Sequence, residues 1–265
     1  MRDRPVVGHV PVGASWVLAL RPDRLLADPA ALELLRATFP PDRLERWLSS
    51  TAIDPGGERT AHALPRAAVA QYPGGVLLVV SRLPGRLSAS TTDMWFGDHV
   101  GATAIAGEPV AWKGLSRALR DRDDARLDRI EDHVLRDLHA AHGDAPVAVY
   151  WPAPLGLPID SGIGVLMSHQ RALVVTLSLP KDGRVAVAID LRGEFPPGAD
   201  EGLRNLFSAV AADELGRGFG LDTAVDRLRI DPHPEGFLVS FQLDTERLRD
   251  GLARFLGEHL WPTPS

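Results

Sequence analysis

Apolar and polar residues alternate most regularly between Ala172 and Leu256. Leu173, Val175, Leu177 and Leu179 alternate with Ala172, Val174, Thr176 and Ser178. After Pro180-Lys181-Asp182-Gly183 the same period returns in Val185, Val187, Ile189 and Leu191. A period of two with one mixed face predicts a half-buried antiparallel pair, and the Asp-Gly step predicts a tight turn between the strands. The spacing then changes to three and four at Leu203, Leu206, Phe207, Val210 and Leu215, the mark of one helix face, with Gly216, Gly218 and Gly220 to stop it. Leu228 and Ile230 lead into a turn over 231–236. Phe237, Val239, Phe241 and Leu243 alternate out of it, predicting a second hairpin. Asp244 or Thr245 is placed to cap a closing helix with Leu248, Leu252, Phe255 and Leu256 on its apolar side. Two such hairpins and two such helices bury their apolar sides best as an antiparallel sheet with helices on one face.

The first half follows a similar order. Ser15 to Leu20 predicts a strand, Asp28-Pro29 a helix start, and Pro40-Pro41 the opening of a further short helix. Arg66–Tyr72 and Gly75–Leu83 predict paired strands, the second central because it is apolar on both faces. A polar loop over 84–98 precedes a hairpin with strands at 101–105 and 109–112. Asp123-Asp124 is placed to cap a long helix carrying Leu127, Ile130, Val134, Leu138 and Ala141, stopped by Gly143. Val147–Tyr150 predicts another strand, and the Pro- and Gly-rich connection over 152–170 holds one helical turn at 165–167. The shared order implies an internal duplication. The expected fold is α+β with two similar halves, each an antiparallel sheet with amphipathic helices packed on one face. Residues 1–14 are a leader, 15–143 and 144–260 the two halves, and 261–265 a tail.

Composition narrows the chemistry. The 265 residues contain no cysteine, which excludes disulfides, thiolate-bound zinc and thiol catalysis. A net charge of -6 and the lack of a basic stripe argue against a nucleic-acid partner. No run approaches the roughly 18 apolar residues of a membrane span, so no transmembrane segment is expected in this chain. The polar start, Met1-Arg2-Asp3-Arg4-Pro5, suits a cytoplasmic N-terminus and equally a Met1 that replaces an upstream targeting segment.

Four stretches invite a chemical reading. His139 and His142, spaced i and i+3 on the long helix, are candidate metal ligands. The competing explanation is that histidine is favourable at the negative end of a helix dipole. Asp160-Ser161-Gly162-Ile163-Gly164 lacks the first glycine and the buried strand of a nucleophile elbow. Gly216-Arg217-Gly218-Phe219-Gly220 follows a helix instead of opening one, the wrong context for a phosphate loop. Asp93, Trp95, Phe96, Asp98 and His99 are the candidate binding residues, since two large aromatics on a polar loop add contact area at little entropic cost. No catalytic residue is assigned and no cofactor is expected. The chain reads as a non-catalytic binding or scaffold module acting through the 88–99 loop and the cleft between halves, with a protein or small apolar ligand as partner. A hydrolase or metal-dependent enzyme, and a carrier of an apolar ligand, are the alternatives.

The run from Trp16 through Leu25, Ile53-Asp54-Pro55 and Gly220-Leu221-Asp222 resembles a set of uncharacterised extracytoplasmic, lipoprotein-like proteins of GC-rich bacteria of the myxobacterial kind. That resemblance implies a location in the bacterial envelope, on the periplasmic or outer side, and no particular activity.

Overall fold

The structure is a computed structural model and describes residues 6–10, 12–38, 66–72, 75–81, 96–100, 103–107, 130, 132–152 and 162–259. Contacts gather the chain into two units, residues 1–27 with 45–152, and residues 28–44 with 153–265. Both combine antiparallel strands with helices, so the chain is α+β. Among the described residues no helix is long and apolar enough to cross a membrane.

In the first unit a 3-10 turn, Val6–His9, buries Val7 and leads to the equally buried Val10. The strands are β1 (Trp16–Leu20), β2 (Ala67–Tyr72), β3 (Gly75–Ser81), β4 (Phe96–Val100), β5 (Thr103–Gly107) and β6 (Val147–Trp151). Antiparallel pairing gives the order β4-β5-β3-β2-β1-β6. Helix α1 (Pro22–Ala27) follows β1 directly, with Pro22 at its first position, where a missing N–H costs nothing. Helix α2 (Pro29–Thr38) belongs to the second unit and starts as its sequence predicts, Asp28 Oδ1 accepting from Ala31 N at 2.8 Å. Helix α3 (His133–His142) packs on β6, with Leu135 and Leu138 buried. Val17, Ala67, Ala68, Ala70, Ala148 and Tyr150 fill the core on the strand side.

The second unit holds α4 (Gly162–Met167), β7 (Gln170–Leu177), β8 (Arg184–Gly193), α5 (Ala199–Ala212), α6 (Glu214–Gly218), α7 (Leu221–Ala224), β9 (Arg229–His233), β10 (Gly236–Asp244) and α8 (Thr245–His259). The β7–β8 turn places Asp182 and Gly183 in the left-handed region, at φ 52° and 71°. This is the primed turn whose twist matches its strands. Strand order is β7-β8-β10-β9, antiparallel throughout. The register sets Val185 against Leu243, Val187 against Phe241, Ile189 against Val239 and Leu191 against Phe237, which puts these side chains on one face. Helices cover that face, with Leu203 of α5 fully buried and the ring of Phe207 meeting Phe241 edge-on, centroids 6.0 Å apart. Asp244 Oδ1 caps α8 by accepting from Glu246 N and Arg247 N, both at 3.1 Å.

Several expected boundaries move. Residues expected in a polar loop form the start of β4, and the hairpin's strands lie at Phe96–Val100 and Thr103–Gly107 instead of at 101–105 and 109–112. Pairing along β5 overrides the poor strand propensity of Gly97 and Asp98. Helix α3 begins at His133, because Asp132 Oδ1 accepts from Val134 N and Leu135 N at 3.0 and 3.1 Å. Ile130 lies outside that helix and is buried. The helix expected to run to Leu215 stops at Ala212, where the carboxylate of Asp213 caps α6 instead. β9 continues through Pro232, a residue that an edge strand tolerates. The helix expected after Pro40-Pro41 and the strand at 109–112 lie outside the described residues.

Candidate functional site

The β1–β2 register ends at Leu20 opposite Ala67, so the next rung sets Arg21 beside Arg66. On the other flank of β1, Leu20 pairs with Val147 of β6, and Arg21 N donates to Pro146 O at 2.8 Å. Backbone pairing thereby sets two arginines side by side at one end of the ladder. Both are largely buried, with side chains 12% and 17% exposed. The chain from α3 to β6 brings Asp144 over them, its carboxylate 3.7 Å from Arg21 Nη1 and 3.9 Å from Arg66 Nη2. Arg24 Nη1 donates to the Asp144 carbonyl at 3.1 Å, and Asp23 Oδ1 lies 3.5 Å from Arg21 Nε.

The inner wall comes from α3 and β6. Tyr150, opposite Val17 on β1, is fully buried. Its Oη lies 3.3 Å from Nδ1 of His139, one of the two donating according to the imidazole tautomer. Gly143 ends α3 with its N–H donating to His139 O at 2.8 Å. A Cβ there would lie 2.6 Å from that oxygen and 2.7 Å from the imidazole Cε1, so glycine is needed for close approach, its φ of -65° being ordinary. Burial, and secondarily the Arg66 guanidinium, push His139 down to about 4, with the Asp144 carboxylate opposing. Burial also raises Tyr150, against a smaller opposing effect of Arg66. Near neutral pH the imidazole is uncharged and the phenol keeps its proton.

Arg21, Arg66, His139, Gly143 and Tyr150 line a recess whose remaining walls include Val7, Ala19, Leu20, Ala67 and Ala148. It encloses room for about one water molecule. The arrangement offers cationic forks at the rim, a phenol and a neutral imidazole within, and apolar walls between them. Chemically it suits holding a small oxyanion.

Of the residues the sequence nominated, His139 belongs to this recess. His142, one turn on, is half-buried, and among the described residues no group of three His, Asp or Glu side chains is placed to hold a metal ion. Phe96, Asp98 and His99 lie on β4, though their side chains fall outside the described part of the structure, as do Asp93, Trp95 and Ser161 altogether. Gly216 sits inside α6, where a Cβ would lie 1.8 Å from Val210 O. Close helix packing explains that glycine.

Arg21, Arg66, Asp144 and Tyr150 were not nominated from sequence. A second polar group was missed in the other unit. Asp190 Oδ2 on β8 accepts from Arg192 Nη2 at 3.3 Å, and Asp190 Oδ1 lies 3.3 Å from His233 Nε2. Arg192 Nη1 reaches Glu235 Oε2 at 2.9 Å, and Glu235 N donates to His233 Nδ1 at 3.2 Å. The ring of contacts ties the β9–β10 turn to β8. The signal for it was the phase of β8, which puts Asp190 and Arg192 opposite the helix-covered face. Comparison with known protein families, with proteins of described function and with solved structures gave no match to this chain.

Proposed function

We propose that the protein is a non-catalytic binding module, built from a duplicated α+β unit, which takes an anionic group of its partner at the Arg21–Arg66 recess. The observation that carries this is the pair of largely buried guanidiniums on one rung, faced by a carboxylate that is itself 93% exposed. A guanidinium presents five N–H donors in a rigid fork, so two side by side suit bidentate recognition of an oxyanion. The small enclosed volume supports holding over turnover. Sites that surround a small-molecule substrate enclose roughly 300–1,000 Å³.

The duplication is supported by connectivity. β2-β3-β5-β4 and β7-β8-β10-β9 are the same strand order with the same antiparallel pairings. Helices α5 to α7 connect β8 to β9, at the position that residues 82–95 hold between β3 and β4. The residue before β2 is Arg66, whereas the residue before β7 is His169, so the arginine of this rung is not repeated at the matching position.

The test is a titration of the protein with acetate, sulfate and inorganic phosphate, followed by the NMR signal of the His139 imidazole at pH 7. A saturable shift with at least one of them, lost in Arg66→Met, is expected. An imidazole that none of the three perturbs would remove the proposal.

A further inference from the structure

The turn between β9 and β10 is of a kind that two-residue hairpins avoid. Gly236 pairs with His233, which leaves Pro234 and Glu235 as the loop, and neither has a positive φ. Proline fixes its own φ at about -65°. The primed turns, whose twist matches the flanking strands, need positive φ at one or both loop positions. This turn therefore relies on its neighbours. Gly193 N donates to Glu235 O at 2.9 Å, Arg192 Nη1 reaches the Glu235 carboxylate at 2.9 Å, and Glu235 N donates to His233 Nδ1 at 3.2 Å.

The last of these contacts fixes the state of the imidazole. A ring nitrogen that accepts carries no proton, so the neutral ring holds its proton on Nε2. Nε2 is shut off from solvent and lies 3.3 Å from Oδ1 of Asp190, whose side chain is 8% exposed. One neutral tautomer thus serves both strands, with Nε2–H against the β8 carboxylate and bare Nδ1 under the turn. A second proton can go only to Nδ1, where it would face the Glu235 N–H, donor against donor. The ring then carries a charge that the Asp190 carboxylate attracts, so the imidazolium stays with β8 and the turn loses its acceptor.

The register puts His233 on the face of the sheet opposite α5. Charged groups on that face are Asp190 and Arg192 from β8, Arg229 and Asp231 from β9 itself, and Glu235 from the turn. β10 presents Gly236, Leu238 and Ser240 there, none of them charged. Glu194, just beyond β8, pairs with Arg171, and Asp200, Glu201 and Arg204 belong to α5 on the other side of the sheet. We infer that His233 is an acid-sensitive clasp of the β9–β10 turn. Neutral, it holds the turn closed through Nδ1; doubly protonated, it remains on Asp190 and releases the turn.

NMR of the imidazole nitrogens in wild type, above the titration of the ring, is expected to show the Nε2–H tautomer. The Nδ1–H tautomer would overturn the clasp. Hydrogen exchange of the Glu235 amide, corrected for its intrinsic pH dependence, is then followed as pH falls. Its protection is expected to drop about two- to tenfold, the effect of one lost hydrogen bond, with the midpoint at which the His233 ring signal titrates. Amides of β8 and β10 are expected to keep their protection, and His233→Leu to leave the Glu235 amide poorly protected at every pH. Constant protection through the ring's titration, a step that persists in His233→Leu, or a parallel loss throughout β8 and β10 would each overturn the inference.

Discussion

His139 shows how one side chain couples the recess to stability. Its folded-state value is lowered from 6.5 to about 4, so the folded protein binds this proton less readily than the unfolded chain does. Its contribution is therefore fully present above about pH 6.5 and is lost as pH falls towards 4. The full loss is on the order of 3 kcal/mol, a substantial share of the roughly 5–15 kcal/mol that stabilises a typical domain. Urea denaturation at pH 7 and pH 4.5 should show a larger drop for wild type than for His139→Leu, which lacks the titrating group. Equal drops would mean that the imidazole is not held neutral. The sequence brought His139 forward for another reason, its i, i+3 spacing with His142. Arg21 and Arg66 carried no such mark, because each is one arginine at a strand end among many in the chain. Only the register of β1 against β2 makes them neighbours, and register depends on partners 45 or more residues apart, which local pattern does not encode.

Among the elements, those whose ends carry their own chemistry were legible. The Asp-Gly turn between β7 and β8, the Asp28-Pro29 start of α2 and the Asp244 cap of α8 all form as their residues predict. The start of α3 was misplaced. Asp123-Asp124 precedes a longer apolar stripe, yet Asp132 makes the cap. Its carboxylate takes two amide protons of the first turn of α3, and the helix holds His139 at its other end. Asp132→Ala should cost about 1 kcal/mol, the usual loss for a deleted helix cap, and should loosen α3. Denaturant midpoints measure the first effect, and hydrogen exchange of the Val134 and Leu135 amides the second. Unchanged exchange at those two amides would overturn the assigned start. The β4–β5 hairpin was misread because Gly97 and Asp98 are poor strand formers individually. Their strand is specified by pairing with β5, a tertiary term.

Across the whole molecule the α+β class followed from the two periodicities, since alternation by two and spacing by three or four cannot be confused over segments this long. The repeated strand order was legible only as element order, and element order alone does not locate a site. The charge balance then decides which anions the protein meets. It carries a net charge of -6, and its candidate recess supplies two arginines on one rung. A polyanion approaching it gains from those two cations over a Debye length of about 8 Å at physiological salt, while the surrounding field is repulsive. If duplex DNA were held by this pair, the slope of log affinity against log salt could reach only about -1.8, two phosphates at roughly -0.9 each. Proteins that hold DNA usefully at physiological salt neutralise several times as many phosphates. Fluorescence anisotropy with a labelled duplex should therefore stay flat at 0.15 M salt, under conditions where acetate still perturbs His139. A salt slope much steeper than two phosphates would instead reveal a cationic surface beyond Arg21 and Arg66. The small, partly apolar recess would then be a minor part of what the protein binds.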